Sequence, residues 1–406
     1  MRTVDDPAMR AQLARSLAAC RADSADLGEI DAMIPAINPG DYDSWWSAWA
    51  GLADRVEARA HQAQGLGHDV SARQGFLRAS EYWRQAFFFE REVLDSPRLR
   101  EGFGRHRACF VQAAARMPGH VESFELAHPG GGRMPGYLFC PGTDGVPRPT
   151  IVLPCGFDST AESAYAFTGY MALNHGYNFV TWEGPGQGSM LYEQGIEMVP
   201  QFEHAYLPLL DWLATAEGVD YRQIVVVGRS LGGYLAARGV AMDPEQRALG
   251  LVCDPGQYDF SEAFLSERMD RATWKRVLDG DPEVEAALES LLQDPGQARF
   301  FRPRMLTLGA ASVAEYMRRQ AAFTLTGCID GIACPTLTMD LQGDFASQSR
   351  AFHEAVRAPK TLATVDPSEG ASGHCGGLGA AVMEATMFDW IDSLTRETPS
   401  ARTGRT

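Results

Sequence analysis

The 406-residue sequence contains no run of about 18 or more apolar residues, which excludes a transmembrane helix. Its first residues, MRTVDDPAMRAQLARS, lack the apolar core and the small-residue cleavage site of a signal peptide. Positive charge is also in deficit, because 36 Lys and Arg against 52 Asp and Glu give a formal net charge of -16 at pH 7. We therefore expect a cytoplasmic protein with no nucleic-acid partner and no membrane partner.

Metal and nucleotide signatures are missing as well. The eight cysteines form no C-x-x-C pair and there is no H-E-x-x-H, so we expect free thiols and no metal site. The glycine-rich turn WEGPGQG at 182–188 lacks the G-x-G-x-x-G spacing and the Walker lysine of phosphate-binding loops. Glu183 in this turn is a candidate substrate-binding residue, although a hydrogen-bonding role suits it better than a catalytic one.

The most informative segment is GRSLGG at 228–233. It follows a β-branched run and precedes an apolar helical pattern, which predicts a strand, a tight turn and a helix. In this arrangement Ser230 stands at the tip of a strained turn with its hydroxyl exposed at the carboxyl end of the strand. The pattern predicts that Ser230 is a catalytic nucleophile. The alternative is a glycine-rich turn that carries a passive serine.

A serine nucleophile needs a base and an acid, and in folds with this turn they follow in the order serine, acid, histidine. His374, in the glycine-rich segment EGASGHCGG, is the candidate base. Two acids follow a strand predicted at 335–339. We favour Asp344, at the loop tip after Gly343, as the group that orients His374. Asp340 lies closer to the strand and is the alternative.

The oxyanion formed by attack on a carbonyl would need two backbone N–H donors. The first predicted donor is the N–H of Leu231, which directly follows the nucleophile. The loop PCGFD after another predicted strand supplies the second, for which we favour the N–H of Phe157. Gly156 permits close backbone approach, and both Gly156 and Asp158 are candidate substrate-binding residues. A plain turn is the alternative interpretation of this loop.

Hydrophobic periodicity predicts an α/β fold with a mostly parallel sheet flanked by helices. An antiparallel hairpin comes first and βαβ units follow. Within the long insertion we expect helices at 260–279, 281–292 and 311–323. The predicted segments are a helical cap at 1–120, the first part of the core at 121–259, a helical lid insertion at 260–325, the second part of the core at 326–395 and a disordered tail at 396–406.

The motifs GRSLGG, CGFDST, EGPGQG, CPTLTMDLQGD and EGASGHCGGLG, in this order, resemble the α/β-hydrolase superfamily. The helical region, with Trp45 and Trp49, is similar to the branch that has an N-terminal helical cap. That branch includes dihydroxypseudooxynicotine hydrolase and the fungal polyketide-shortening hydrolases.

The resemblance spans most of the chain and implies a Ser230, Asp344 and His374 triad between cap and sheet, a homodimer and no cofactor. In this branch an acidic residue early in the lid can assist C–C cleavage, so Glu262 and Glu267 are candidate substrate-binding residues.

These observations predict a serine hydrolase that acts on a medium-sized apolar, aromatic or polyketide-like small molecule. It would cleave a C–C bond of a β-diketone-like compound, or an ester bond, through an acyl-enzyme. An acyltransferase or cyclase would use the same triad, because the second nucleophile is set by the shape and dryness of the pocket. A non-catalytic ligand-binding protein is a third interpretation. The aromatic residues of the cap could line the floor of a pocket, although packing explains any one of them better.

Overall fold

The computed structural model describes residues 2–262, 265 and 269–397. Helices fill the chain before the first strand, as the periodicity predicts. They are α1 (Pro7–Ala18), α2 (Leu27–Met33), α3 (Tyr42–Gly65), α4 (Asp69–Phe87) and α5 (Pro97–Ala114). The Asp6-Pro7 pair starts α1, because the Asp6 carboxylate accepts the Met9 N–H at 2.9 Å and Pro7 occupies the first helical position.

The cap aromatics pack mainly on one another. Trp45 and Trp49 are fully buried, and their ring centroids lie 5.5 Å apart. The Trp45 Nε1–H donates to the Gln85 carbonyl at 2.7 Å, which fixes α3 against α4. The packing interpretation therefore holds for these two tryptophans.

Eight strands form one sheet in the spatial order β1-β2-β4-β3-β5-β6-β7-β8. The strands are β1 (His120–Ala127), β2 (Arg133–Cys140), β3 (Arg148–Pro154), β4 (Asn178–Trp182), β5 (Val219–Arg229), β6 (Ala248–Asp254), β7 (Thr336–Leu341) and β8 (Lys360–Val365). β1 and β2 form the predicted antiparallel hairpin, and β2 pairs antiparallel with β4. The six strands β3 to β8 are parallel to one another. Because parallel strands end at the same edge, the loops after β3, β5, β7 and β8 meet there.

The central strands of the sheet are buried on both faces, as is usual for parallel strands covered by helices. Val225 and Val227 of β5 face the core that contains the cap tryptophans. Ile224 and Val226 face the opposite core, which is shared with the lid helices. The cap is thus packed into one continuous core with the sheet.

The remaining helices surround the sheet or form the insertion. Around the sheet lie α6 (Ala161–Ala164), α7 (Tyr170–Asn174), α8 (Gly188–Tyr192), α9 (Glu203–Leu213), α10 (Gly232–Ala241), α15 (Ser349–Ala355) and α16 (Ala380–Glu397). The insertion contains α11 (Arg271–Leu278), α12 (Pro282–Glu289), α13 (Pro295–Leu308) and α14 (Val313–Ala321). No helix in the part of the chain that the structure describes is long and apolar enough to cross a membrane.

The insertion corrects two sequence predictions. The helix predicted at 260–279 is wrong where its first half is described, because Phe260–Glu262 form a 3₁₀ turn and α11 begins only after the Asp270 N-cap. Helix α13 was not predicted at all. Its start carries the same signal as α1, because the Asp294 carboxylate accepts the Gln297 N–H at 2.8 Å and Pro295 follows. The tail predicted at 396–406 lies outside the described residues from position 398 on.

Candidate active site

Ser230 stands at the turn between β5 and α10. Its φ of 57° is in the left-handed region, which is strained for a residue other than glycine, and its N–H donates to the Asp254 carbonyl at 2.8 Å. A side chain at Gly228 would overlap the Gly232 carbonyl, so the first glycine of the motif is required by close approach. The sequence therefore forces the hydroxyl of Ser230 outward at the carboxyl edge of the sheet.

The structure brings His374 to this hydroxyl. Its Nε2 lies 2.7 Å from Ser230 Oγ, and its Nδ1 lies 2.8 and 3.1 Å from the two carboxylate oxygens of Asp344. Since Nδ1–H donates to Asp344, Nε2 is the unprotonated nitrogen that can accept the serine proton. The loops after β5, β7 and β8 supply the three side chains, as the order of motifs along the chain predicts.

Asp344 is fixed by its own backbone surroundings. Its carboxylate also accepts the N–H of Cys375 at 2.9 Å and of Ala346 at 3.0 Å. Burial alone would raise the pKa of Asp344, but the hydrogen bonds from His374 and from these amides hold it below its usual value. Asp344 is therefore ionised and oriented before any substrate arrives.

The alternative acid, Asp340, is still within β7 and points elsewhere. Its carboxylate oxygen lies 3.0 Å from Nη2 of Arg350, on the helix that follows. The structure thus brings Asp344 to His374 and gives Asp340 a separate ion pair.

The two amides favoured as oxyanion donors, on Leu231 and Phe157, belong to segments that adjoin Ser230. Neither the Leu231 N–H nor the Phe157 N–H has an acceptor among the described residues. A Cβ built on Gly156 would lie 3.5 Å from Ser230 Cβ and 3.1 Å from the Arg229 carbonyl, so the loop passes directly over the serine. Gly156 leaves room there that a larger side chain would fill.

The loop after β3 that carries Gly156 and Phe157, called here the oxyanion loop, is fixed by hydrogen bonds to Gly156. Ser159 Oγ accepts the Gly156 N–H at 2.6 Å, and the Gln187 side-chain amide donates to the Gly156 carbonyl at 3.2 Å. The Gln187 carbonyl oxygen in turn accepts the Gly184 N–H at 2.7 Å. The turn EGPGQG therefore buttresses the oxyanion loop.

Glu183 is the first residue of this turn, and its side chain is 0% exposed. One carboxylate oxygen accepts the Ala161 N–H at 3.1 Å and the other accepts the Ser189 N–H at 2.7 Å, at the starts of α6 and α8. Burial and the neighbouring Glu162 raise the pKa of Glu183 to about 7. The structure gives Glu183 the hydrogen-bonding role that the sequence favoured.

Asp158 forms a short ion pair with Arg91. Burial would raise its pKa, but Arg91 and Arg304 hold it well below the usual value. Its backbone carbonyl accepts Nη2 of Arg84 at 3.2 Å. Asp158 therefore ties the oxyanion loop to the cap. Of the two lid candidates, Glu267 and the side chain of Glu262 lie outside the described residues.

Three neighbours of the triad were not singled out from the sequence: Arg229, Phe345 and Cys375. Arg229 pairs with Asp254 at 3.0 Å and donates to the Cys375 carbonyl at 2.8 Å, which joins the serine turn to the histidine loop. The motif letter x in G-x-S-x-G gave no signal for this role. Phe345 is 84% exposed and its ring centroid lies 5.0 Å from that of His374.

The thiol of Cys375 lies close to the imidazole of His374. Its Sγ lies 3.6 Å from Nε2 of His374, and Asp344, His374 and Cys375 together place possible metal-ligand atoms within 4.8 Å of one another. Both imidazole nitrogens are already engaged by Ser230 and Asp344. Hydrogen bonding thus accounts for the grouping.

Comparison with known proteins agrees with this architecture. The profile of the family described as "Esterase FrsA-like" matches residues 6–255. Hydrolase acrC of Aspergillus aculeatus is 30% identical over 93% of this chain and 94% of its own length. The 20-hydroxy-prefusarin hydrolase FUS2 of Gibberella moniliformis is 27% identical over 91% of this chain and 92% of its own length.

Among solved structures, 2,6-dihydroxy-pseudo-oxynicotine hydrolase superimposes with a TM-score of 0.73 and 23% identity, covering 95% of this chain and 98% of that one. This likeness confirms the α/β-hydrolase fold with its helical cap and lid. Together with the matched profile and the fungal relatives, it confirms the resemblance inferred from the motifs. The chain belongs to the FrsA-like esterase family and is an enzyme of the α/β-hydrolase class.

Proposed function

We propose that this hydrolase works through an acyl-enzyme on Ser230, with His374 as the base and Asp344 as the group that orients it. The observation that carries the proposal is the continuous hydrogen-bonded line from Ser230 Oγ to His374 Nε2, at 2.7 Å, and from Nδ1 to Asp344, at 2.8 Å. A hydroxyl within this distance of an unprotonated imidazole nitrogen can transfer its proton as it attacks.

In the first half-reaction Ser230 Oγ attacks a carbonyl carbon and His374 Nε2 takes the hydroxyl proton. The oxygen of the tetrahedral intermediate accepts the N–H groups of Leu231 and Phe157, which have no other acceptor among the described residues. When the intermediate collapses, Nε2–H protonates the leaving group. That group is an alkoxide for an ester and a carbanion for a β-diketone-like compound. Water, deprotonated by His374, then releases the acid.

The substrate is proposed to be a medium-sized apolar or polyketide-like small molecule. The exposed Phe345 beside His374 supports an apolar contact at the mouth of the site. FUS2 is named a 20-hydroxy-prefusarin hydrolase and the structural neighbour a 2,6-dihydroxy-pseudo-oxynicotine hydrolase, which supports a small-molecule substrate. The mechanism uses only side chains and backbone amides and needs no cofactor. The homodimer that the resemblance implies stays a prediction.

Isotopes from solvent distinguish the possible reactions. We expect turnover in ¹⁸O-water to place one heavy oxygen in a carboxylate product, because water resolves the acyl-enzyme. A deuterium on the leaving carbon in D₂O would assign C–C cleavage, and its absence with an alcohol product would assign ester cleavage. Mass spectrometry of both products measures each label. A product that contains a new intramolecular ester or amide and no solvent oxygen would contradict hydrolysis and favour the transferase or cyclase.

The pH dependence should follow the protonation of His374. Burial alone would lower the pKa of His374, but the adjacent Cys375 sulfur and Asp344 carboxylate raise it above its usual value. Only the neutral imidazole can accept the serine proton, so activity is present above this pKa and is lost as the pH falls through it. We expect the acid limb of kcat/KM to have its midpoint above about 6.5, the ordinary histidine value. A midpoint clearly below that value would contradict the assignment.

A further inference from the structure

An unusual group of arginines lies between the cap and the oxyanion loop. Two come from cap helices, one from the turn after α4 and one from lid helix α13. With them lie two carboxylates, one on α4 and one on the oxyanion loop. The members of this arginine group are Arg15, Arg84, Arg91, Arg304, Glu81 and Asp158.

Their charges do not cancel. Four guanidinium groups face two carboxylates, and Asp158 is already engaged by Arg91. One oxygen of the Glu81 carboxylate accepts Ser16 Oγ–H at 2.7 Å and the side-chain amide of Gln85 at 2.8 Å. The group therefore carries excess positive charge in the interior of a protein whose formal net charge is -16.

Arg84 is the member of the group whose buried donors are least satisfied. Its side chain is 1% exposed, yet only Nη2 has a hydrogen-bond acceptor, the Asp158 carbonyl at 3.2 Å. Nε and Nη1 are buried without a partner among the described residues. A buried guanidinium with two unused donor nitrogens is costly unless acceptors reach them. Nε and Nη1 do not belong to an ordinary structural ion pair here.

Arg15 lies in the same space. Its guanidinium carbon is 4.6 Å from the centroid of the Phe167 ring, its buried Nε has no partner, and it forms no ion pair in the described part of the chain. Burial, and then the charge of Arg84, lower the pKa of Arg15 to about 9. Two cations that repel each other in the interior would be stabilised by an anion between them.

Both arginines contact segments that adjoin Ser230. Asp158, which Arg84 contacts, is two residues beyond Gly156, and the backbone of Gly156 passes over Ser230. Phe167, over which Arg15 lies, accepts the Nη1–H of Arg229, the residue before the nucleophile, at 2.7 Å. An anion held by Arg15 and Arg84 would thus belong to the molecule whose acyl carbon reaches the serine.

We infer that Arg15 and Arg84 form a subsite for a delocalised oxyanion of the substrate, a carboxylate or the enolate of an acidic 1,3-dicarbonyl compound. This inference rests on the proposed function for its reacting carbonyl and adds the charge of the substrate to it. Planar guanidinium groups match such anions in pairs of parallel hydrogen bonds, which a neutral apolar substrate cannot make.

Two esters of equal length test the charge requirement. They are the mono-p-nitrophenyl ester of glutaric acid, which carries a free carboxylate, and the p-nitrophenyl methyl diester, which is neutral. We expect the wild-type chain to prefer the charged ester by about 10- to 100-fold in kcat/KM. Arg84→Gln should remove most of that preference, so that the ratio of the two kcat/KM values falls to within about threefold of one. Arg100→Gln, at an exposed arginine of α5, is the matched control and should keep it.

Arg15→Gln provides a second variant, at a less buried position, in case Arg84→Gln does not fold. A binding measurement then separates the subsite from catalysis. By calorimetry the wild-type chain should bind benzoate and not benzamide, and either arginine variant should weaken benzoate binding by about tenfold or more.

Each result has one meaning for the subsite. Equal rates on the two esters, or equal binding of benzoate and benzamide, would overturn it even if Ser230 is the nucleophile. Hydrolysis of neither ester, with benzoate binding lost in the variants, would support the subsite and count against the proposed function instead.

Discussion

Ser230→Ala should lower kcat by at least about three orders of magnitude while the fold is retained. Among the described residues the hydroxyl has a hydrogen bond only to the imidazole of His374, at 2.7 Å, and alanine adds no atoms to the strained turn. What is lost is the covalent route, because neither water nor His374 can replace the hydroxyl in the same position. Steady-state kinetics on a p-nitrophenyl ester measures the loss, and an unchanged circular dichroism spectrum shows that the variant is folded.

Active-site labelling gives an independent readout of the same assignment. A fluorophosphonate should modify Ser230 in the wild-type chain and leave the Ser230→Ala variant unlabelled. Ser290→Ala, at an exposed serine of the lid whose hydroxyl donates to the Ala287 carbonyl, is the matched control and should be labelled and active. Modification of another serine, or activity retained by Ser230→Ala, would contradict the acyl-enzyme mechanism.

The sequence predicts the catalytic edge well because its signals there are local. The glycines of GRSLGG impose the turn sterically, and the position of Ser230 follows from the strand before it. His374 and Asp344 each follow a strand, and parallel strands deliver such loops to one edge whatever the rest of the chain does. The Asp-Pro pairs that start α1 and α12 are equally local, and the same pair at 294–295 would have revealed α13.

The rest of the site depends on contacts between distant parts of the chain. Arg15 and Arg84 belong to different cap helices and meet near the oxyanion loop only through the tertiary packing, so no spacing in the sequence pairs them. Likewise, nothing in the turn WEGPGQG shows that Glu183 accepts the N–H groups of two helices. The burial of Arg84, the charge balance of the arginine group and the unused donors of Arg15 and Arg84 arise only when the cap is folded onto the sheet.

Asp344→Asn should lower kcat/KM by about 10³- to 10⁴-fold, close to the effect of removing the nucleophile. The neutral amide can donate its own N–H to Nδ1 of His374, which would leave the proton on Nε2 and block its acceptance of the Ser230 proton. It also removes a carboxylate that raises the pKa of His374. We therefore expect the acid limb of the residual pH profile to move to lower pH, a shift that a merely unfolded fraction would not produce.

Asp340→Asn is the matched control, because it changes the same atoms four residues earlier in the chain. The buried Asp340 carboxylate lies 3.0 Å from the exposed Arg350 and has no hydrogen bond to His374 among the described residues, so its loss should alter activity by less than about threefold. Kinetics of both variants over the same pH range compares them directly. The opposite ranking, with Asp340→Asn inactive and Asp344→Asn nearly normal, would move the orienting role to Asp340. It would also mean that the loop after β7 rearranges by several ångströms when substrate binds.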